Sequence, residues 1–324
     1  MKRFIIASMA LAVSLFPVAS QARLGGAGAQ FLINGSGSRA QGLGGAYTAF
    51  AEGVEAIYWN PAGLARIEGI DASFTHTQLF ADFKGENVAF ATAGLGGVIG
   101  LSGVAFLSGD IPVTTEEEQD GTGDTYSAND FAAGLSYARM MTDKFTAGIT
   151  LKFIAQNIHK CSAFGWAFDI GGIYNTGLRN LRVGFVIQNF GPDLRYQGAD
   201  LEFEGGSTGD VPTTYKSEPY SLPLTFQMGA AYDIMNMGGN RLTATIDGVH
   251  PIDQSETFAT GLEYSFNDTY FLRLGYTERN ERGFCGGLGV KIPLGDNMGT
   301  VDYTYEDHDY LDAIQRFTIG FSSR

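Results

Sequence analysis

Apolar and polar positions alternate along most of this chain. Phe145, Ala147, Ile149, Leu151 and Phe153 oppose Thr146, Gly148, Thr150, Lys152 and Gln156, and Phe164, Trp166, Phe168 and Ile170 oppose Ala163, Gly165, Ala167 and Asp169. From residue 222, Leu222, Leu224, Phe226, Met228, Ala230 and Tyr232 face away from Thr225, Gln227, Gly229, Ala231 and Asp233. The pattern returns at Tyr270 to Thr277, at Val301 to Glu306 and at Arg316 to Phe321. A period of two is the signature of a strand with one apolar and one polar face. Many segments run to 10 residues or more, the length of a tilted membrane strand and not of the shorter strands of globular sheets.

The connections sharpen this reading. Compact turns rich in Gly, Asn and Asp at 94–97, 141–144, 175–180, 235–240, 267–269 and 295–299 alternate with longer or more charged stretches at 110–129, 191–221, 250–256, 277–282 and 306–315. Short turns at one end and long loops at the other typify outer-membrane barrels, which also have an even strand number. The pattern therefore predicts an all-β fold: a transmembrane antiparallel β-barrel of about 14 strands over residues 70–324, in the outer membrane of a Gram-negative bacterium. The apolar face then meets outer-membrane lipid and lipopolysaccharide. Lys152, Asp169, Arg182, Asp233, Asp247, Glu263, Arg273, Lys291 and Asp302 are predicted to face the lumen, since on the lipid face each would cost several kcal/mol. Cys285 falls on the same inner face, and the distant Cys161 leaves a disulfide between them open.

Two N-terminal segments do not alternate. Lys2 and Arg3 precede an apolar run from Phe4 to Ala19, and Ser20-Gln21-Ala22 has the small residues of a cleavage site, so residues 1–22 read as a signal peptide. Its removal takes the formal net charge from -14 to -16, because Lys2 and Arg3 leave with it. That charge argues against nucleic acid as a partner. Residues 23–69 are then predicted to form a plug inside the barrel. Glu52 to Trp59 is expected to form a short helix that Asn60-Pro61 ends before the first strand near Ile70. The composition fits, with 45 Gly, 24 Phe and 15 Tyr in 324 residues and only 17% charged residues.

Candidate chemistry is sparse. His76, His159, His250 and His308 are not spaced as metal pairs, and no Gly-x-Ser-x-Gly elbow occurs. Gly35-Ser36-Gly37-Ser38-Arg39-Ala40 fits a loose dinucleotide pattern, yet Gly42, Gly44 and Gly45 interrupt the helix that such a site requires. The acidic run at Glu116 to Glu118 reads as a solvated loop. No enzyme activity and no cofactor are expected.

Ser38-Arg39-Ala40-Gln41-Gly42-Leu43-Gly44-Gly45-Ala46-Tyr47-Thr48-Ala49-Phe50-Ala51, followed by Ala56-Ile57-Tyr58-Trp59-Asn60-Pro61-Ala62-Gly63-Leu64-Ala65, resembles the N-terminal signature of the PorV/PorQ family, which is related to the FadL-type channels. The run from Ser221 to Tyr232 resembles the family more weakly. The resemblance implies a 14-stranded barrel with its N-terminal segment folded inside. It marks Gly42, Gly44, Gly45, Tyr47, Trp59, Asn60, Pro61 and Gly63 as plug or gate residues. It also implies one of two functions. One is a type IX secretion component whose extracellular loops 110–129 and 191–221 meet secretion-system proteins and exported cargo. The other is a FadL-like channel for hydrophobic molecules such as fatty acids, with Leu43, Phe50, Ile57 and Tyr58 as possible ligand contacts. A purely structural or adhesive surface barrel is the third reading.

Overall fold

A computed structural model describes residues 26–178, 180–203, 213–278, 282–308 and 312–323. The signal peptide expected at 1–22 lies outside them, as does part of the 191–221 connection. Fourteen strands build the wall: β1 (Ile70–Gln78), β2 (Lys84–Gly94), β3 (Gly97–Leu107), β4 (Ala128–Met140), β5 (Phe145–Ile158), β6 (Cys161–Asn175) and β7 (Arg182–Phe190) make the first half. The second half is β8 (Thr225–Met237), β9 (Asn240–Pro251), β10 (Thr257–Phe266), β11 (Tyr270–Thr277), β12 (Arg282–Leu294), β13 (Asn297–His308) and β14 (Ile314–Ser323).

Each strand pairs antiparallel with the next, and β14 closes on β1 from Asp71 opposite Ser322 to Gln78 opposite Gln315. Closure gives each strand a neighbour on both sides along at least part of its length, as a spanning sheet in lipid requires. Outward positions carry exposed Phe90, Leu135, Phe153, Trp166, Leu272, Leu274, Phe317 and Ile319, while their neighbours in sequence face inward and are buried. Short turns such as Leu95-Gly96 and Gly238-Gly239 lie at the end where the wall's first and last residues meet; the long connections lie at the other, together with the two-residue turn His159-Lys160.

Two local expectations differ from the structure. Leu222 and Leu224 do not extend β8 along the lipid face: Leu222 is buried against Phe31 and Leu194, and regular pairing starts at Thr225 because Pro223 has no N–H for a ladder. The helix at 52–59 shrinks to the single turn Ala56–Trp59, since Gly53 at φ 68 breaks the chain before it. Asn60 ends that turn in extended conformation, and a 3-10 helix follows over Pro61–Arg66 with Ala62 N–H capped by Asn60 Oδ1.

Candidate functional site

Residues 31–65 pack on and bond to inward-facing residues of the wall. The segment starts near the long-loop end, where Gly28 N–H bonds Ser221 O and Phe31 packs on Ala132, Ile154 and Leu194. It then winds around the inner wall and leaves at the short-turn end to enter β1. A folded chain fits in a lumen already lined by side chains because the wall omits them where backbone passes. A Cβ at inward-facing Gly148 would overlap the Pro61 carbonyl, one at Gly184 the Thr48 carbonyl, and one at Gly275 the Gly44 nitrogen. At Gly171 it would overlap the Asn60 side chain. On the segment itself, Gly44 and Gly45 turn the chain at φ 66 and 80, a region costly to residues with a Cβ.

Polar bonds fix the docking. Asn60 Nδ2 donates to Thr48 O at 2.9 Å within the segment, and to Gly172 O and Phe185 O of β6 and β7 at 3.3 Å. Gln188 of β7 donates to Tyr58 O at 2.8 Å, and Thr48 N–H bonds Asp247 Oδ2 of β9 at 2.8 Å. Ser38 shares a 2.8 Å hydroxyl bond with Thr318 of β14. Tyr47 sets its edge against Phe50 and Trp59, whose indole N–H donates to Ser36 O at 2.7 Å.

A row of alternating charges crosses from segment to wall. Arg39 grips Glu263 of β10 through both Nε and Nη2 at 2.8 Å and Glu52 through Nη1 at 2.6 Å. Arg273 of β11 bonds the same Glu263 at 2.8 Å and Asp302 of β13 at 2.5 Å. The order Glu52, Arg39, Glu263, Arg273, Asp302 places each charge between opposite ones, which is how buried ions recover their lost hydration. Burial works against the charged form of Arg39, but Glu263 and Glu52 more than offset it and hold the guanidinium's pKa above its ordinary value. Burial likewise opposes ionisation of Glu52, and Arg39 outweighs it, so that carboxyl titrates below its usual range. Phe50 lies between the Arg39 and Arg182 guanidinium groups, each 4.7 Å from its ring centre. Arg182 also pairs with Asp233 at 3.3 Å.

Glu55 behaves differently. Buried first, and beside the Asp302 and Asp71 carboxylates, it has its pKa pushed up to about 8. It lines a vestibule of about 370 Å³ at the short-turn end, together with Arg39, Glu52, Asp71, Lys291 and Asp302.

The residues singled out in the sequence thus separate. Lys152, Asp169, Arg182, Asp233, Asp247, Glu263, Arg273, Lys291 and Asp302 lie on the inner side, with Lys152 against Asp169 at 2.7 Å and Lys291 over the Phe271 ring. Gly42 packs on Gly287, and Gly63 on the Ala51 carbonyl. Leu43 and Phe50 are fully buried and line neither the vestibule nor the upper cavity, whereas Ile57 and Tyr58 line the latter. This upper cavity of about 60 Å³ lies between Phe31, Leu32 and the wall at Val104, Phe106 and Ala132. Cys161 and Cys285 are both buried, and no disulfide joins them.

Arg39 and Glu52 escaped the sequence reading, although with Glu55 they are the only charged residues between 26 and 65, a signal in so apolar a stretch. Arg316, which pairs with Glu306 and donates to Asn34 O at 3.1 Å, was equally visible as an inward charge on β14.

Known structures share this architecture. The toluene transporter TodX of Pseudomonas putida superposes with a TM-score of 0.59 at 12% identity, over 89% of this chain and 98% of that one. The CymD monoaromatic hydrocarbon channel gives 0.54 at 15% identity, over 89% and 96%. At such identity the likeness shows the fold alone, that of an outer-membrane barrel. No curated protein sequence matches significantly. The sequence profile described as "Type IX secretion system protein PorV" matches residues 18–249, and by that match over most of its length the chain belongs to the PorV family.

Proposed function

We propose that this chain is a non-enzymatic outer-membrane component of type IX secretion, which docks exported proteins at the cell surface. Membership of the PorV family carries the reading. The occupied lumen supports it: a segment bonded to β6, β7, β9, β10 and β14 takes up space that a porin leaves to water, as suits a barrel that serves as an anchor. The short-turn end faces the periplasm and the long-loop end the exterior. The loops at 110–129 and 191–221 then present the docking surface. Of these, 110–129 carries Asp110, Glu116, Glu117, Glu118, Asp120 and Asp124 and no Lys or Arg. Co-purification from native outer membranes tests the proposal: secretion components and exported proteins are expected with the barrel. Recovery of hydrophobic ligand with no protein partner overturns it.

One observation favours a second reading, a channel for apolar molecules. The upper lumen cavity backs onto an apolar dent of about 580 Å³ in the outer wall, and both share Asn87, Val104, Ala105, Ala132 and Ala133. The wall between them is thinned by small residues. Uptake of a radiolabelled alkylbenzene or fatty acid into proteoliposomes separates the two functions.

A further inference from the structure

The wall has one incomplete seam. β6 has 15 residues and β7 only 9, and their last rung joins Phe168 to Phe190. Toward the rim the free edge of β6 finds a partner again only at Ser162 and Cys161, which pair with Gln197 and Gly198. Between these rungs Ala163 to Ala167 stays extended and keeps β5 on its other side. Alternate residues of an antiparallel ladder direct N–H and C=O to one neighbour or the other. The two-residue turn His159-Lys160 makes Ile158–Cys161 a hydrogen-bonded pair, so Ala163, Gly165 and Ala167 bond β5 while Phe164 and Trp166 present their backbone groups to the gap. Among the described residues, no hydrogen bond reaches those four groups from the facing chain.

The chain opposite takes another course. Gly191 packs on the Trp166 carbonyl, Pro192 has no N–H, and Leu194 turns inward over Gly165 and pairs its backbone with Tyr220. The lower end of the gap is pinned by a polar knot. Asn189, at φ 61, bonds Asp169 Oδ1 through its N–H at 2.8 Å, accepts from Lys152 Nζ at 2.8 Å and donates to Pro223 O at 3.1 Å. The departure of β7 is therefore built into the fold and is not a frayed end. Phe164 and Trp166, 70% and 44% exposed, place the gap on the outer face of the wall, about 10 to 17 Å along β6 from its first residue.

We propose that this edge of β6 is a strand-addition site: an extended segment of a partner polypeptide takes the place of the Gly191–Tyr196 coil and pairs with Phe164 and Trp166. A polypeptide main chain repeats a donor and an acceptor every two residues, about 6.7 Å, which matches the two open positions. An acyl chain or an aromatic hydrocarbon has no such groups. One set of the incoming side chains faces lipid beside Phe164 and Trp166 and is apolar. The other lies over Gly165, where Leu194 sits now, and is small or aliphatic. The site does not rest on the secretion reading, since it would accept a strand in either functional setting.

The test uses the full chain in lipid nanodiscs and a synthetic decapeptide of alternating valine and threonine as probe, read by amide exchange in NMR. In the free barrel the Phe164 and Trp166 amides are expected to exchange at least about 10-fold faster than those of the paired Gly165 and Ala167. The probe slows both at least about 10-fold and leaves β10 and β11 unchanged. Oxidising a Gly165→Cys/Leu194→Cys pair, which holds the coil on the seam, abolishes this protection, and reduction restores it. Trp166→Pro, which lacks the donor, weakens it without a lock. Amides already protected in the free barrel overturn the proposal. So does a probe without effect at millimolar concentration, or one that protects the locked barrel equally.

Discussion

Asn60 and Gly171 fit one another through an absence: the Asn60 carboxamide occupies the space in which a side chain at 171 would begin. Its Nδ2 meanwhile bonds Thr48 O, Gly172 O and Phe185 O, and its Oδ1 caps Ala62 N–H. One side chain thus holds two parts of the lumen segment together and ties both to β6 and β7.

Adding a methyl group at the crowded positions forces backbone apart. Gly171→Ala and Gly148→Ala are each expected to cost about 1–3 kcal/mol, the range for overpacked cores. Gly286→Ala, where a Cβ meets nothing within 4 Å, serves as control and leaves the thermal midpoint unchanged. Differential scanning fluorimetry of the purified barrels decides it; equal midpoints for all three variants would sink the account.

At Asn60 the chemistry of the substitution matters more than its size. Asn60→Ala removes the side-chain donor shared by Thr48 O, Gly172 O and Phe185 O and uncaps Ala62 N–H, a loss of about 2–3 kcal/mol. Asn60→Asp keeps the volume but sets a carboxylate against the same oxygens, so it is expected to be the more damaging. The two denaturation midpoints in urea give the order directly.

Glu263 holds two arginines at once. Glu263→Gln leaves Arg39 and Arg273 without their shared partner in a buried site, where breaking an ion pair costs about 3–5 kcal/mol. Release of the lumen segment is the expected outcome. It is read as new protease cleavage between 36 and 66 and as openings in planar-bilayer recordings, against a closed wild type. Deleting residues 36–65 should raise small-solute permeability further, and an unchanged permeability means that the segment does not occlude the lumen.

Glu55 gives the docking a pH dependence of defined sign. Its pKa rises from 4.5 to about 8 on folding, chiefly through burial and then through Asp302 and Asp71, with Arg273 and Arg39 opposing. The folded state therefore keeps a proton that the unfolded chain gives up. The associated stability is complete below pH 4.5, declines as pH rises toward 8, and is flat above it. Glu52, lowered by Arg39, acts oppositely, and its contribution is lost as pH falls below 4.5. Protease protection of the segment is expected to weaken between pH 6 and 8, and Glu55→Gln to remove that slope. A slope that survives in Glu55→Gln assigns it to another group.

By itself the sequence determined the barrel. A period of two sustained from Ile70 to Phe321 leaves each strand one apolar and one polar face, and with short turns between hairpins the sheet can only close on itself. The inward direction of Arg273, Glu263 and Asp302 followed from the same alternation, since a charge in lipid is too costly to misplace. The segment before Ile70 was legible as something other than strand, because its glycines and its lack of alternation exclude one. Its place inside the barrel was an expectation from the sequence; which strands hold it, tertiary structure alone decided. The wall partners of Arg39, Asn60 and Thr48 lie about 110 to 225 residues away, on β10, β6 and β9, and surround the segment only once the sheet has curled into a barrel. A glycine in a strand looks the same in sequence whether it faces lipid, as Gly286 does, or makes room for a peptide, as Gly171 does. The β6 seam was hidden for a related reason: residues 163–167 alternate as well as any strand paired on both sides, and only the departure of β7 at Asn189 leaves one of their sides open.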